Sequence, residues 1–397
     1  MTTTHAAPDA HARAEPATAR SGGGLAVALV VYLLAVVAVV TLAPFEFAWP
    51  ERLRIWAGEW TVLDVVANVL LFVPLGFVGA MAWARVASGG AWRALVLGAA
   101  VSVAIESAQL FAPERYTSPW DVLTNAAGAW LGARALAAVR GRLDPATVVG
   151  RLALDLPLMG LVYLLVPLGW SSALTVGAGP MRPLLLLCLG LFGASVLGAV
   201  QRRHFGPAGV FSPLGMAAAA AAWLVVAALP ALNAAPREVA LVALLVAVFT
   251  WHRAGGGARG TAPGDAGRER RFELQALLRA APFLAAYLLL LPLTEPSTAR
   301  LSRHVILRIV ETMTAFTVLG YAVAEAMGRR ELPYREAAVR VAAVALPVAV
   351  ALAVVRAAGM PPADETPRIV AALVAALYGG WLYDVQRRNV REVLGRG

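Results

Sequence analysis

The chain has 397 residues, 59% of them hydrophobic and only 15% charged, with a mean hydropathy of +0.70. A soluble domain carries about 25% charged residues, so this composition excludes a water-soluble fold and leaves little room for a soluble domain. The net charge of +10 comes entirely from arginine, without one lysine, and is spread over connecting segments. That leaves no compact basic domain for a nucleic acid, and none is expected as a partner.

Residues 1–24 form a polar tail rich in Ala, Thr and His, expected to be a disordered cytoplasmic extension. It is long and weakly charged for a signal-peptide n-region, and no A-x-A-like site follows the apolar run Leu25–Leu42. That run is therefore expected to persist as an anchoring helix.

Apolar stretches of membrane-spanning length, roughly 17–25 residues, recur from there to the C-terminus. The predicted spans are 25–43, 62–84, 92–111, 120–139, 152–173, 182–200, 211–232, 237–252, 275–293, 305–327, 336–357 and 367–384. The fold class is thus all-α, a polytopic membrane bundle of about twelve helices. Arginines crowd alternate loops, such as Arg85 and Arg93, Arg202 and Arg203, Arg253 to Arg271, and Arg387 to Arg391. The intervening loops balance arginine with acid, as in Glu114 and Arg115 or Asp364, Glu365 and Arg368. The positive-inside rule then puts both termini in the cytoplasm of a plasma membrane.

The Gly/Arg-rich segment 253–274 reads as a disordered connector, with contact to anionic lipid as the sharper alternative. Cys188 is the only cysteine, and the five histidines are scattered without zinc spacing. Neither a metal nor another cofactor is implied.

A weak internal repeat is visible. Val-Tyr-Leu-Leu at 31–34 returns at 162–165, and as Ala-Tyr-Leu-Leu at 286–289. Leu75-Gly76 finds counterparts in Leu189-Gly190 and Leu319-Gly320, and Trp130, Trp251 and Trp381 close the units. This suggests three parallel four-helix units at 25–140, 141–252 and 275–386, with 387–397 as a cytoplasmic tail.

The chemistry concentrates in the first unit. Asp64 and Asn68 are spaced i,i+4, Glu106 and Gln109 i,i+3, and Asp121 and Asn125 i,i+4, each pair on one helix face. An Asp at the centre of a membrane helix costs about 2.5–3.5 kcal/mol, so this many polar groups require a reason. The topology puts all three pairs at the outer side, with Glu106 and Asn125 about 6–9 Å inside the interface. Glu46 ends the first helix at that level, and Arg115 and Ser118 lie in the short outer loop. Together they predict a cup open to the outside. Asp64, Asn68, Glu106, Gln109, Arg115, Ser118, Asp121 and Asn125 would bind a ligand there, and Glu106 is the candidate acid/base. Pro74 should free a carbonyl in the second helix, and Gly128 and Gly132 form a G-x-x-x-G that permits close approach. Plainer roles compete: helix-start residues for Asp64 and Asp121, and interhelical hydrogen bonding for the two asparagines. Glu106, in the middle of an apolar face, needs a partner. Elsewhere, Glu311 has Arg308 one turn back and reads as structural.

The stretch D-V-V-A-N-V-L-L-F-V-P-L-G (64–76) followed by E-S-A-Q-L-F-A-P-E-R-Y-T-S-P-W-D-V-L-T-N-A-A-G-A-W-L-G (106–132) resembles the VanZ-like family of bacterial membrane proteins. The family's elements fall on Asp64, Asn68, Phe72, Pro74, Gly76, Glu106, Gln109, Arg115, Ser118, Asp121, Asn125 and Gly128, over roughly residues 30–136. The family is named for a member associated with low-level resistance to the glycopeptide teicoplanin. The resemblance implies a bacterial envelope protein whose partners are membrane lipid and a lipid-linked cell-wall precursor or a glycopeptide antibiotic. Three functions compete: binding of such a ligand, acid/base or divalent-metal-dependent catalysis on an envelope lipid or glycan, and transport. At the third unit, Arg308 and Thr312 stand where Asp64 and Asn68 align, so one site is expected, in the first unit.

Overall fold

The computed structural model describes residues 23–42, 47–50, 61–82, 90–112, 116–142, 157–175, 181–204, 212–232, 235–255, 266–294, 303–327, 334–359 and 365–394. They form thirteen α-helices: α1 (Gly23–Leu42), α2 (Val62–Ala82), α3 (Gly90–Gln109), α4 (Pro119–Arg142), α5 (Pro157–Thr175), α6 (Met181–His204), α7 (Pro213–Ala227), α8 (Leu229–Leu232), α9 (Pro236–Gly255), α10 (Ala266–Leu290), α11 (Arg303–Met327), α12 (Tyr334–Gly359) and α13 (Thr366–Leu394). No strand occurs among the described residues. The molecule is an all-α polytopic bundle, and its helices match the twelve predicted spans one for one once α7 and α8 are taken as one interrupted rod. Among the described residues, seven helices are long and apolar enough to cross a bilayer, and shorter apolar helices lie at 27–38, 64–80 and 213–227.

The interruption has a simple cause. Pro230 has no N–H to bond the Val226 carbonyl one turn back, so the rod breaks at Ala228. The indole Nε1 of the fully buried Trp170 donates to that orphaned carbonyl at 2.7 Å. The proline's cost is thus met by a side chain from α5. Pro292 acts similarly after α10, where the chain tightens into a 3-10 turn over Leu291–Thr294.

Outward faces are apolar. On α9, Leu241, Leu244, Leu245 and Val248 are exposed at i, i+3, i+4 and i+7, and on α12 Val339, Leu346, Val350 and Val354 form a similar stripe. Such continuous apolar exposure fits a hydrocarbon solvent. With the arginine-flanked spans, it makes this a multi-pass membrane protein.

In the first unit, α4 is the centre and packs on both α2 and α3. A methyl group built on Gly76 would overlap the Ala129 carbonyl oxygen, one on Gly128 the Val69 carbonyl, and one on Gly132 the Val73 carbonyl. The α2–α4 pair therefore touches backbone to backbone, as the G-x-x-x-G suggests. Phe72 is fully buried beside this contact, and α2 runs unbroken through Pro74.

The same arrangement recurs between α11 and α13. Added methyls on Gly320 and Gly379 would strike the carbonyls of Ala376 and Thr317. The spacing is identical: Val73 and Gly76 against Ala129 and Gly132 in one pair, Thr317 and Gly320 against Ala376 and Gly379 in the other. Gly190 on α6 does not follow this pattern, because a methyl there meets the Val246 and Leu224 side chains rather than a backbone.

Helix α5 lies at the heart of the molecule, packed against α11, α6 and α7, and contributes to three core clusters. Its C-terminal end joins a buried polar knot. The Glu311 carboxylate, 0% exposed, accepts from Thr175 Oγ1 at 2.5 Å, Tyr287 Oη at 3.0 Å and Arg308 Nη1 at 3.1 Å. Arg308 also donates to the Thr175 and Thr294 carbonyls, capping two helix ends at once. The position aligned with Asp64 thus carries a closed ion pair, not part of an open cup.

Candidate functional site

The site is built at one membrane face, on the ends of three helices. α2 begins with a reciprocal capping box: Asp64 N–H donates to Thr61 Oγ1 at 3.1 Å, while Thr61 N–H donates to Asp64 Oδ2 at 3.2 Å. Thr61 Oγ1 also lies 2.6 Å from Asp64 Oδ2. The exposed Asp64 is therefore largely committed to starting its helix. α4 begins with Ser118, Pro119 at the first helical position and Asp121 in the first turn, where a carboxylate complements the free N–H groups.

α3 contributes one buried polar stripe: Ser102, Glu106 and Gln109. Glu106 is 5% exposed, and its Oε2 accepts the Ser118 N–H at 2.8 Å. Its backbone carbonyl accepts from Thr117 Oγ1 at 3.1 Å. Glu106 thus finds the partner it requires in the backbone at the start of α4, and the residues leading into α4 are folded onto it.

Asp121 is the hub. Its carboxylate is within hydrogen-bonding reach of the Ser118 and Asn68 side chains and senses the charge of Asp64. Glu106 in turn senses the charge of Asp121. Asp121, on α4, thus lies between Asp64 and Asn68 on α2 and Glu106 on α3. Asn125, 6% exposed, lies one turn deeper and donates from Nδ2 to Ser102 Oγ at 2.9 Å. Its Oδ1 is buried with no hydrogen-bond partner among the described residues. A buried acceptor left unmade costs about 1–3 kcal/mol.

Gln109 is turned elsewhere. Its Nε2 donates at 3.0 Å to the Thr41 carbonyl near the end of α1, tying α3 to α1. Thr61, Ser102 and Thr41 are the residues that sequence reasoning missed. The T-x-x-D spacing signals Thr61, and Ser102 sits one turn before Glu106 on the same face, whereas nothing local signals a carbonyl 68 residues away. Arg115 and Glu46 lie outside the described residues.

Beside the cup, the segment after α1 returns along the end of α3. Ala48 N–H donates to the Phe111 carbonyl at 2.7 Å, and Trp49 meets Phe111 edge-on at 5.5 Å. Phe47, Ala48, Trp49, Ala108 and Phe111 line an apolar cleft of about 470 Å³. Ala108 and Phe111 place this cleft next to Glu106 at the end of α3, and Tyr116 and Trp120, which follow α3 in the chain, are exposed. Among the described residues, no three of His, Cys, Asp and Glu are grouped as metal ligands.

The fold defines a polytopic helical membrane protein whose second, third and fourth helices bring Asp64, Glu106 and Asp121 to the same end of the bundle. Residues 25–140, nearly the whole of α1–α4, match the VanZ/LLP1 family model and constitute a VanZ-like membrane domain, as the motif residues indicate. No curated protein and no solved structure matches the chain.

Proposed function

We propose that the cup of the VanZ-like domain binds the hydrogen-bond-donating part of an amphipathic ligand at the outer face of the bacterial plasma membrane. The carrying observation is the surplus of acceptors. Glu106 is buried within reach of the Asp121 charge, and the Asn125 Oδ1 is buried without a donor among the described residues. A ligand that satisfies them offers sugar hydroxyls, amide N–H groups or an ammonium, not a bare phosphate. Glycopeptide antibiotics and lipid-linked cell-wall precursors carry such groups, and the adjoining cleft gives their apolar part a place. An effect on glycopeptide susceptibility follows from sequestering either one.

Glu106→Gln and Asp121→Asn test this reading. Both are isosteric, and the carboxamide introduced by Glu106→Gln keeps an oxygen for the Ser118 N–H, so the fold survives while the charge goes. Teicoplanin binding to the purified protein is expected to weaken about tenfold or more with either change, since a charge-assisted hydrogen bond is worth about 1.5–3 kcal/mol. Unaltered binding together with unaltered susceptibility of cells carrying the variants would remove the proposal.

The buried Glu106, within reach of the Asp121 charge, also supports a second reading, acid/base catalysis on the bound lipid or glycan. Turnover of a lipid-linked substrate that stops in Glu106→Gln would distinguish it from simple binding.

The orientation proposed, with both termini cytoplasmic, rests on the alternation of arginine-rich loops. A C-terminal alkaline phosphatase fusion is expected to be inactive and a C-terminal fluorescent protein bright; the reverse pattern rejects the orientation. α10–α13 are further proposed to be a degenerate copy of α1–α4, supported by the matched glycine registers of α2–α4 and α11–α13.

A further inference from the structure

At the opposite membrane face from the cup, three arginines come together where α6, α9 and α10 pack. Arg202, half-buried near the end of α6, donates from Nη1 to the Arg253 carbonyl at 3.2 Å. It lies close enough to Arg253 and Arg279 to feel both charges, and no acidic group of the described residues figures among its neighbours. The guanidinium of Arg253 rests 5.2 Å above the Phe249 ring. Phe249 in turn meets Phe283 edge-on at 6.0 Å, and Phe283 stands one turn after Arg279 on α10.

Like charges gathered across three helices repel each other, and the half-buried one is poorly screened by water. Loop arginines that merely set topology have no reason to converge in this way. Their convergence calls for an anion, and guanidinium groups match phosphate oxygens in a bidentate fork. The surroundings select among anions. The floor of the site is aromatic, and Arg253 and Arg279 are both exposed at its rim. Leu278, next to Arg279, is 62% exposed, so apolar surface continues from the site along α10. A ligand with a phosphate head and acyl chains uses both features, whereas a free anion uses one.

We propose that Arg202, Arg253 and Arg279 form a binding site for the phosphodiester headgroup of an anionic phospholipid, with its chains lying along the exposed face of α10. Arg279 reaches the headgroup by extending its side chain toward the interface. A site of this kind ties α6, α9 and α10 together through the lipid, adding a fixed contact at the arginine-rich face.

The test uses the full-length protein in detergent, titrated with dioleoylphosphatidylglycerol or dioleoylphosphatidylcholine and read by native mass spectrometry. The wild type is expected to retain phosphatidylglycerol in preference to phosphatidylcholine. Arg279→Gln, at an exposed position that the fold does not need, is expected to weaken that retention about fivefold, the value of one arginine at an anionic headgroup. Arg279→Lys should keep most of it, and Arg202→Gln should lower it further. Arg134→Gln, an exposed arginine stacked on Trp130 in the first unit, is the control and should change nothing. Equal retention of the two lipids by the wild type, an unchanged Arg279→Gln, or an equal loss in Arg134→Gln overturns the site. Displacement of phosphatidylglycerol by millimolar inorganic phosphate overturns its assignment to a lipid.

Discussion

Alanine at Gly76 is expected to unfold the N-terminal bundle, whereas alanine at Gly90 is expected to leave it intact. At Gly76 the new methyl would overlap the Ala129 carbonyl oxygen, a backbone atom that cannot swing aside. α2 and α4 would have to separate, and with them the contacts at Gly128 and Gly132. Overpacking in a tight interior costs about 1–3 kcal/mol when side chains can adjust, so a backbone clash should cost about 3 kcal/mol or more. At Gly90 nothing lies within 4 Å of an added methyl, and removing a helix glycine is worth up to about 1 kcal/mol in stability. Thermal melts of the two purified variants, followed by tryptophan fluorescence, give the comparison. Similar melting temperatures would mean that α2 and α4 are not in backbone contact.

The second large effect concerns the knot at Glu311. Arg308→Met should destabilise the protein by about 3–5 kcal/mol, the usual cost of stranding one member of a buried ion pair. Glu311 is completely buried, and Tyr287 and Thr175 can satisfy its oxygens but not its charge. The methionine also leaves the Thr175 and Thr294 carbonyls without their shared donor. Adding Glu311→Leu to Arg308→Met should restore much of the loss, because the charge requiring compensation is gone. A double-mutant cycle on melting midpoints measures the coupling. If the double variant is no better than Arg308→Met alone, the helix-end carbonyls, not the ion pair, carry the stability.

Much of this was legible in the chain because membrane helices announce themselves by composition. Twelve apolar segments could be counted, and the Gly128–Gly132 spacing pointed to a close contact whose partner proved to be α2. The buried polar stripe of α3 was legible for the same reason: a carboxylate such as Glu106 in an apolar helix is conspicuous, and its i,i+3 spacing from Gln109 assigns both to one face. What escaped was set by tertiary contacts. The amide of Gln109 has two ends to satisfy, and only the folded chain decides that one goes to Thr41. The Arg308–Glu311 pair is visible as i,i+3, yet Thr175 and Tyr287 join it from distant helices. The break in the seventh rod was signalled by Pro230, but the indole that repairs it comes from another span.

The enclosure of α5 has a consequence for how the chain is made. Across Leu158–Thr175, 89% of the residues are shielded by other helices, and one of the principal shields, α11, begins only at Arg303. While the ribosome is still producing α6 to α10, α5 must wait in lipid without that cover. Its apolar sequence allows the wait, with Ser171, Ser172 and Thr175 the polar groups near its C-terminal end. Release from the insertion machinery and final assembly are therefore separate events, and the central helix enters the membrane well before the wall that encloses it.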